Sequence, residues 1–113
     1  MKIIDNKISI NELKQIAAAT FGNMVKAVVD VDREIVAIDA ELHSDLEALL
    51  IEKGSKQRSL WGINLYPDMK GEEFVEFDSL INIRPSVGNR SRGVENEELR
   101  KKIISIVAKR IPR

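Results

Sequence analysis

The sequence predicts an α+β domain over residues 1–113: a mostly antiparallel sheet of four or five strands with three helices packed mainly on one face. Three observations carry this. Two pairs of β-branched, alternating runs are each joined by a short turn, which is hairpin patterning. Three further segments place apolar residues at helical spacing between helix start and stop signals. A chain of 113 residues, 43% of them apolar, supports one modest core. The expected order is β-α-β-β-α-β-β-α.

Each element has its own local reasons. Met1-Lys2-Ile3-Ile4 reads as a short first strand. Ser9-Ile10-Asn11-Glu12 fits a capping box, in which the Ser side chain takes an orphan helix N–H and the Glu reaches back. The helix it opens should run to about Phe21, with Ile10, Leu13, Ile16, Ala17 and Phe21 on one face and Gly22-Asn23 as its stop. The runs VKAVVDV and EIVAIDAE form a hairpin about Asp32-Arg33. Ser44-Asp45-Leu46-Glu47 is a second capping-box pattern, opening an apolar helix that ends at Gly54. SLWGINLYP and EFVEFDSLINIR are the last two strands, joined through Pro67, Asp68 and Gly71. The final helix starts near Asn96, with acidic Glu97 and Glu98 first and basic Lys109 and Arg110 last, as its dipole favours.

Strand parity separates two sheet faces. Ile63, Leu65, Phe77, Ile81 and Ile83 fall on the apolar side and are expected to be buried. Asp39, Glu41, Asn64, Glu76, Asp78, Asn82 and Arg84 fall on the other side, which is rich in carboxylates and amides. An antiparallel sheet can leave such a face to solvent, or use it as a site.

Composition excludes several functions. Eighteen Lys and Arg balance eighteen Asp and Glu, so broad attraction to nucleic acid is not expected. The chain has no cysteine, which rules out disulfides, thiolate metal sites and Cys nucleophiles. No apolar stretch is long enough for a membrane span, and the N-terminus has no signal-peptide pattern. A cytoplasmic protein with no cofactor and no membrane partner is the expectation. The basic tail RKKIISIVAKRIPR reads as the solvated face of a helix.

Two stretches carry chemistry. Glu41-Leu42-His43-Ser44-Asp45 holds the only histidine at a strand-to-helix junction. Glu41 and His43, with Asp78 from the polar face, are candidates for acid–base or metal-assisted hydrolysis. Such an oxygen-rich set would suit magnesium or manganese better than zinc. The second stretch, residues 84–93, places Arg84, Asn89, Arg90 and Arg92 in a loop stiffened by Pro85 and freed by Gly88 and Gly93. Arginines without local acidic partners, amide donors and turned backbone N–H groups suit an anion, phosphate or carboxylate, on a ligand or partner. It is not a P-loop, for no GxxxxGK[ST] is present. The internal alternative is that carboxylates of the polar face hold these arginines down.

The stretches VKAVVDVDREIVAIDAELHSDLEALL, LWGINLYP and FDSLINIRPSVGNRSRGVE resemble a small family of uncharacterised microbial proteins defined only as a domain of unknown function. The resemblance spans almost the whole chain. That family often has Asp-Pro where this chain has Asn96-Glu97, and either pair starts a helix well. The resemblance implies one compact domain, and no activity, cofactor or site residue. Three functions follow from the residues themselves: a binding module for an anionic ligand through loop 84–93, a hydrolase using Glu41, His43 and Asp78, or a homodimeric interaction protein.

Overall fold

The computed structural model describes residues 1–113 and places eight regular elements in the expected order. They are β1 (Lys2–Ile4), α1 (Ile10–Ala19), β2 (Val25–Asp30), β3 (Ile35–Ile38), α2 (His43–Glu52), β4 (Leu60–Leu65), β5 (Val75–Glu76) and α3 (Glu97–Arg110). The five strands form one antiparallel sheet in the order β1-β3-β2-β4-β5. The β2–β3 hairpin lacks an Asn-Gly turn and is fastened from within instead. Buried Asp30 accepts the N–H groups of Asp32 and Arg33 through one carboxylate oxygen and the Ser55 hydroxyl through the other.

Helices cover both faces, two on one side and one on the other. Ala27, Val29, Ile38 and Ile63 pack against Leu13 and Ala17 of α1 and Ile103, Ile106 and Val107 of α3. The opposite face carries α2, whose Leu46 and Leu50 are fully buried over Val28, Ala37 and Leu60. Burying each such leucine contributes about 2 kcal/mol. The face expected to be polar is therefore apolar beneath α2 and polar only towards Lys26, Asn64 and Glu76.

Two helix starts follow the sequence and one departs from it. Ser9 Oγ accepts the Glu12 N–H at 3.0 Å, and Asn96 Oδ1 accepts the Leu99 N–H at 2.9 Å. The expected Ser44–Glu47 capping box does not form. α2 begins two residues earlier than that box would start it, at His43, so the N-cap is Leu42, which has no side-chain cap bond. The buried His43 ring donates from Nε2 to the Ile63 carbonyl at 2.8 Å, a tertiary contact that draws the chain into the helix ahead of Ser44.

The last expected strand is also corrected. Pairing stops after Glu76, and residues 80–82 form a single 3₁₀ turn. Ile63 and Leu65 are fully buried as expected, but Phe77 and Ile81 are only half-buried and Ile83 is 41% exposed. Gly62 explains the break. A Cβ at this residue would lie 2.5 Å from Ser79 Cβ, so only glycine lets the incoming segment ride this close. Fully buried Asn82 then does the work of a strand. Its Oδ1 accepts the Gly62 N–H at 2.8 Å and its Nδ2 donates to the Gly62 carbonyl at 2.9 Å.

Candidate functional site

A cleft of about 580 Å³ opens where the polar end of the sheet emerges from under α2. Its floor is a row of cross-strand neighbours, Lys26 on β2, Asn64 on β4 and Glu76 on β5. One wall is the start of α2, with Leu42, His43 and Ser44. The other is the segment after β5, with Asp78 and Ser79, backed by Arg92.

The loop that carries Arg92 is organised by its own amides. Asn89 is buried, and its Nδ2 donates to the carbonyls of Asn82 and Gly93 at 2.7 and 2.8 Å while its Oδ1 accepts the Glu95 N–H at 2.9 Å. Arg84 and Asn89 exchange backbone hydrogen bonds across a tight turn, with Gly88 at φ 83° closing it. Gly93 stays outside the left-handed region. The backbone N–H groups of Arg90 and Ser91 do turn inward on an anion, but that anion is the chain's own Glu95 carboxylate, at 2.7 and 2.8 Å. These two donors hold the exposed Glu95 carboxyl below its ordinary value.

The sequence-derived candidates thus divide. Arg84 lies inside the fold, its guanidinium 4.7 Å from the Trp61 ring centroid and 3.9 Å from Glu47, with its Nε donating to the Ile81 carbonyl. Burial pushes its pKa down, and nearby Glu47 opposes that. Arg90 is exposed and lies outside the cleft. Arg92 lines it, and its Nε donates to Asp78 Oδ1 at 2.6 Å. His43 and Asp78 line the same cleft, whereas Glu41 is exposed and does not. No three His, Asp or Glu side chains converge in a geometry that could hold a metal ion.

His43 is 8% exposed, and burial is the main reason its pKa lies below 6.5. The bond to the Ile63 carbonyl opposes this; Lys26 and Arg92 reinforce it, and Asp78 opposes it. A carbonyl only accepts, so Nε2 carries the proton and the neutral ring keeps a lone pair on Nδ1. The pH consequence has a definite sign. Between the folded pKa and about 6.5 the unfolded chain binds more protons than the folded one. Stability should therefore fall as pH drops below about 6.5 and level off beneath the folded pKa. Melting curves of the wild type and His43→Gln across this range check it; the variant should lose this component of the pH dependence.

Asn64 and Tyr66 are the polar residues that candidate-spotting by motif passed over. Asn64 Nδ2 donates to Glu76 Oε1 at 2.8 Å and to the Asp78 carbonyl at 3.3 Å. Both partners are acceptors, so the amide orientation is fixed. Its Oδ1 is then left buried with no donor, in a residue only 6% exposed. The Tyr66 hydroxyl donates to the same Glu76 oxygen at 3.0 Å, and burial followed by that bond raises its pKa. The only sequence signal for either was parity on β4.

The fold is α+β, and the cleft is a polar, charge-lined recess at one end of its sheet. A family model described as a protein of unknown function, DUF5674, matches residues 2–110, and the chain belongs to that family. No curated protein and no solved structure matches the chain significantly. No helix is long and apolar enough to cross a membrane.

Proposed function

We propose that the chain is a binding module for a small anionic ligand, held in the cleft between the start of α2 and Arg92. The observation that carries this is the Arg92 guanidinium, which lines the cleft and uses only its Nε within the chain. Nε holds Asp78, and the outer face of the fork remains available for bidentate contact. Loop 84–93 serves mainly as the scaffold that holds Arg92, with Arg84 and Asn89 committed to internal contacts.

Backbone amide shifts during titration with small carboxylates and phosphates test the proposal. Shifts should gather at Lys26, Asn64, Asp78 and Arg92, and Arg92→Lys should weaken binding about tenfold by removing the planar fork. Arg90→Lys should leave binding unchanged. Shifts confined to residues 86–91, or none with any probe, would overturn the reading.

A second reading is acid–base catalysis in the same cleft. It is supported by His43, whose neutral ring offers Nδ1 as a base, with Asp78 as the nearby carboxylate. Glu41, outside the cleft, has no part in it.

A further inference from the structure

We infer that the ligand of the cleft is a small monocarboxylic acid with an apolar chain, its carboxylate on Arg92 and its chain between Leu42 and Leu80. This rests on the binding reading above and names the ligand class. Two leucines that the fold leaves uncovered define the apolar end. Leu80 is 68% exposed and Leu42 is 55% exposed, and both line the cleft, on opposite walls. Half-buried Met24 and Ile81 extend the apolar lining. Single exposed leucines are ordinary on a protein surface, but two in one charge-lined recess are not.

Local structure accounts for neither leucine. Leu42 occupies the N-cap of α2 and makes no cap bond. Ser, Thr, Asn and Asp are favoured there, because their side chains accept a helix N–H. Leu80 opens the 3₁₀ turn after Ser79, whose Oγ accepts the Ile81 N–H at 3.3 Å. The Asn82 amide fixes that turn on Gly62 of β4, so Leu80 is held where it stands. A residue that breaks a local rule with no gain inside the fold points to a contact outside it. The charged end falls to Arg92. Lys26, the other cation of the cleft, lies over the Phe21 ring, 5.4 Å from its centroid. Arg92 spends Nε on Asp78 and keeps both Nη groups for the two oxygens of a carboxylate. The carboxylates of the cleft are engaged, Glu76 by Asn64 and Tyr66 and Asp78 by Arg92. Phosphate would use Arg92 and leave both leucines wet. An acid with an apolar chain uses all three.

Amide-detected titration at constant ionic strength with acetate, butyrate, hexanoate and phosphate tests the inference, with hexylammonium as the probe of opposite charge. Affinity should rise about twofold to threefold for each added CH₂, so hexanoate should bind roughly tenfold to thirtyfold tighter than acetate. Leu80→Asn should flatten this series, and so exposed a residue is not needed for folding. Leu42→Ser should raise the melting temperature by supplying the missing cap and still weaken hexanoate binding. A Leu42→Ser variant that gains the cap and binds hexanoate as the wild type does would overturn the role of Leu42. Equal affinity for the three acids would overturn the ligand class while leaving anion binding intact. Hexylammonium binding as tightly as hexanoate would overturn the carboxylate end. Sedimentation of the free protein should give a monomer; a dimer that Leu80→Asn splits would show that a second copy covers the leucines, and would overturn the inference. No saturable shift with any acid or with phosphate would overturn both this inference and the binding reading.

Discussion

Gly62→Ala is expected to lower stability by about 3 kcal/mol, near the upper end of what overpacking a close-packed site costs. For a domain of this size that is a fall in melting temperature of roughly 10–15 °C. The added methyl would lie 2.5 Å from Ser79 Cβ, 2.6 Å from Ser79 Oγ and 3.2 Å from His43 Cδ2. Neither neighbour can yield easily. Ser79 is held by its backbone N–H bond to the Arg92 carbonyl at 3.0 Å, and His43 by its bond to Ile63 at 2.8 Å. A shift of Ser79 would also draw on Asn82 and so loosen both bonds to the Gly62 backbone. Denaturant unfolding monitored by Trp61 fluorescence measures the effect. A loss below about 1 kcal/mol would mean that the segment after β5 is not seated as described.

Gly62 also marks where local patterning stopped being informative. The alternation from Val75 to Ile83 reads as one continuous strand, and the first two residues do pair with β4. What ends the strand is a contact across the chain, the Asn82 amide on the Gly62 backbone, and neither residue announces it alone. Ile83, apolar and in phase, is exposed because the phase is lost at that turn. The same lesson applies to α2. Ser44-x-x-Glu47 is a sound local start signal, and it is overruled by a buried imidazole bonding to a carbonyl on β4. Where propensity and tertiary contact agree, as at Ser9 and Asn96, the sequence placed the caps correctly.

The site was half legible for a related reason. His43, Asp78 and Arg92 each stood out by residue type, but as members of two separate groups. Only the seating of loop 84–93 on the edge of the sheet brings Arg92 to Asp78. Lys26 and Asn64 were harder to find. A lone Lys on a hairpin strand reads as solvated, and an orphan amide oxygen is a property of three dimensions. Arg92 pairs with Asp78 of the polar face, as the internal alternative has it, Arg84 pairs with Glu47 of α2 instead, and of the three only Arg92 lines the cleft.

The amide network beneath that loop gives the second large effect. Asn82→Asp is isosteric, so it opens no cavity and tests hydrogen bonding alone. Asn82 Nδ2 donates to the Gly62 carbonyl at 2.9 Å and the Arg92 carbonyl at 2.9 Å. An aspartate at this fully buried residue turns both contacts into facing acceptors. The Gly62 carbonyl loses its donor, the Arg92 carbonyl keeps only the Ser79 N–H, and both face a buried carboxylate, which predicts a loss of about 3 kcal/mol at neutral pH. The sign of the pH dependence separates this mechanism from a packing fault. Burial and two carbonyl neighbours favour the neutral carboxylic acid, so its folded pKa rises above the ordinary value of about 3.9. Between those values the folded variant binds more protons than the unfolded one, and its stability falls as pH rises. At low pH the protonated oxygen donates to one of the two carbonyls, and the deficit relative to wild type should shrink. Because the Arg92 carbonyl is released as well, cleft amides near Arg92 should broaden or shift in the variant at neutral pH and recover on acidification. Paired unfolding curves at neutral and acidic pH decide the matter: a deficit under about 1 kcal/mol, or one that does not change with pH, would show that the Asn82 amide does not hold loop 84–93 against β4.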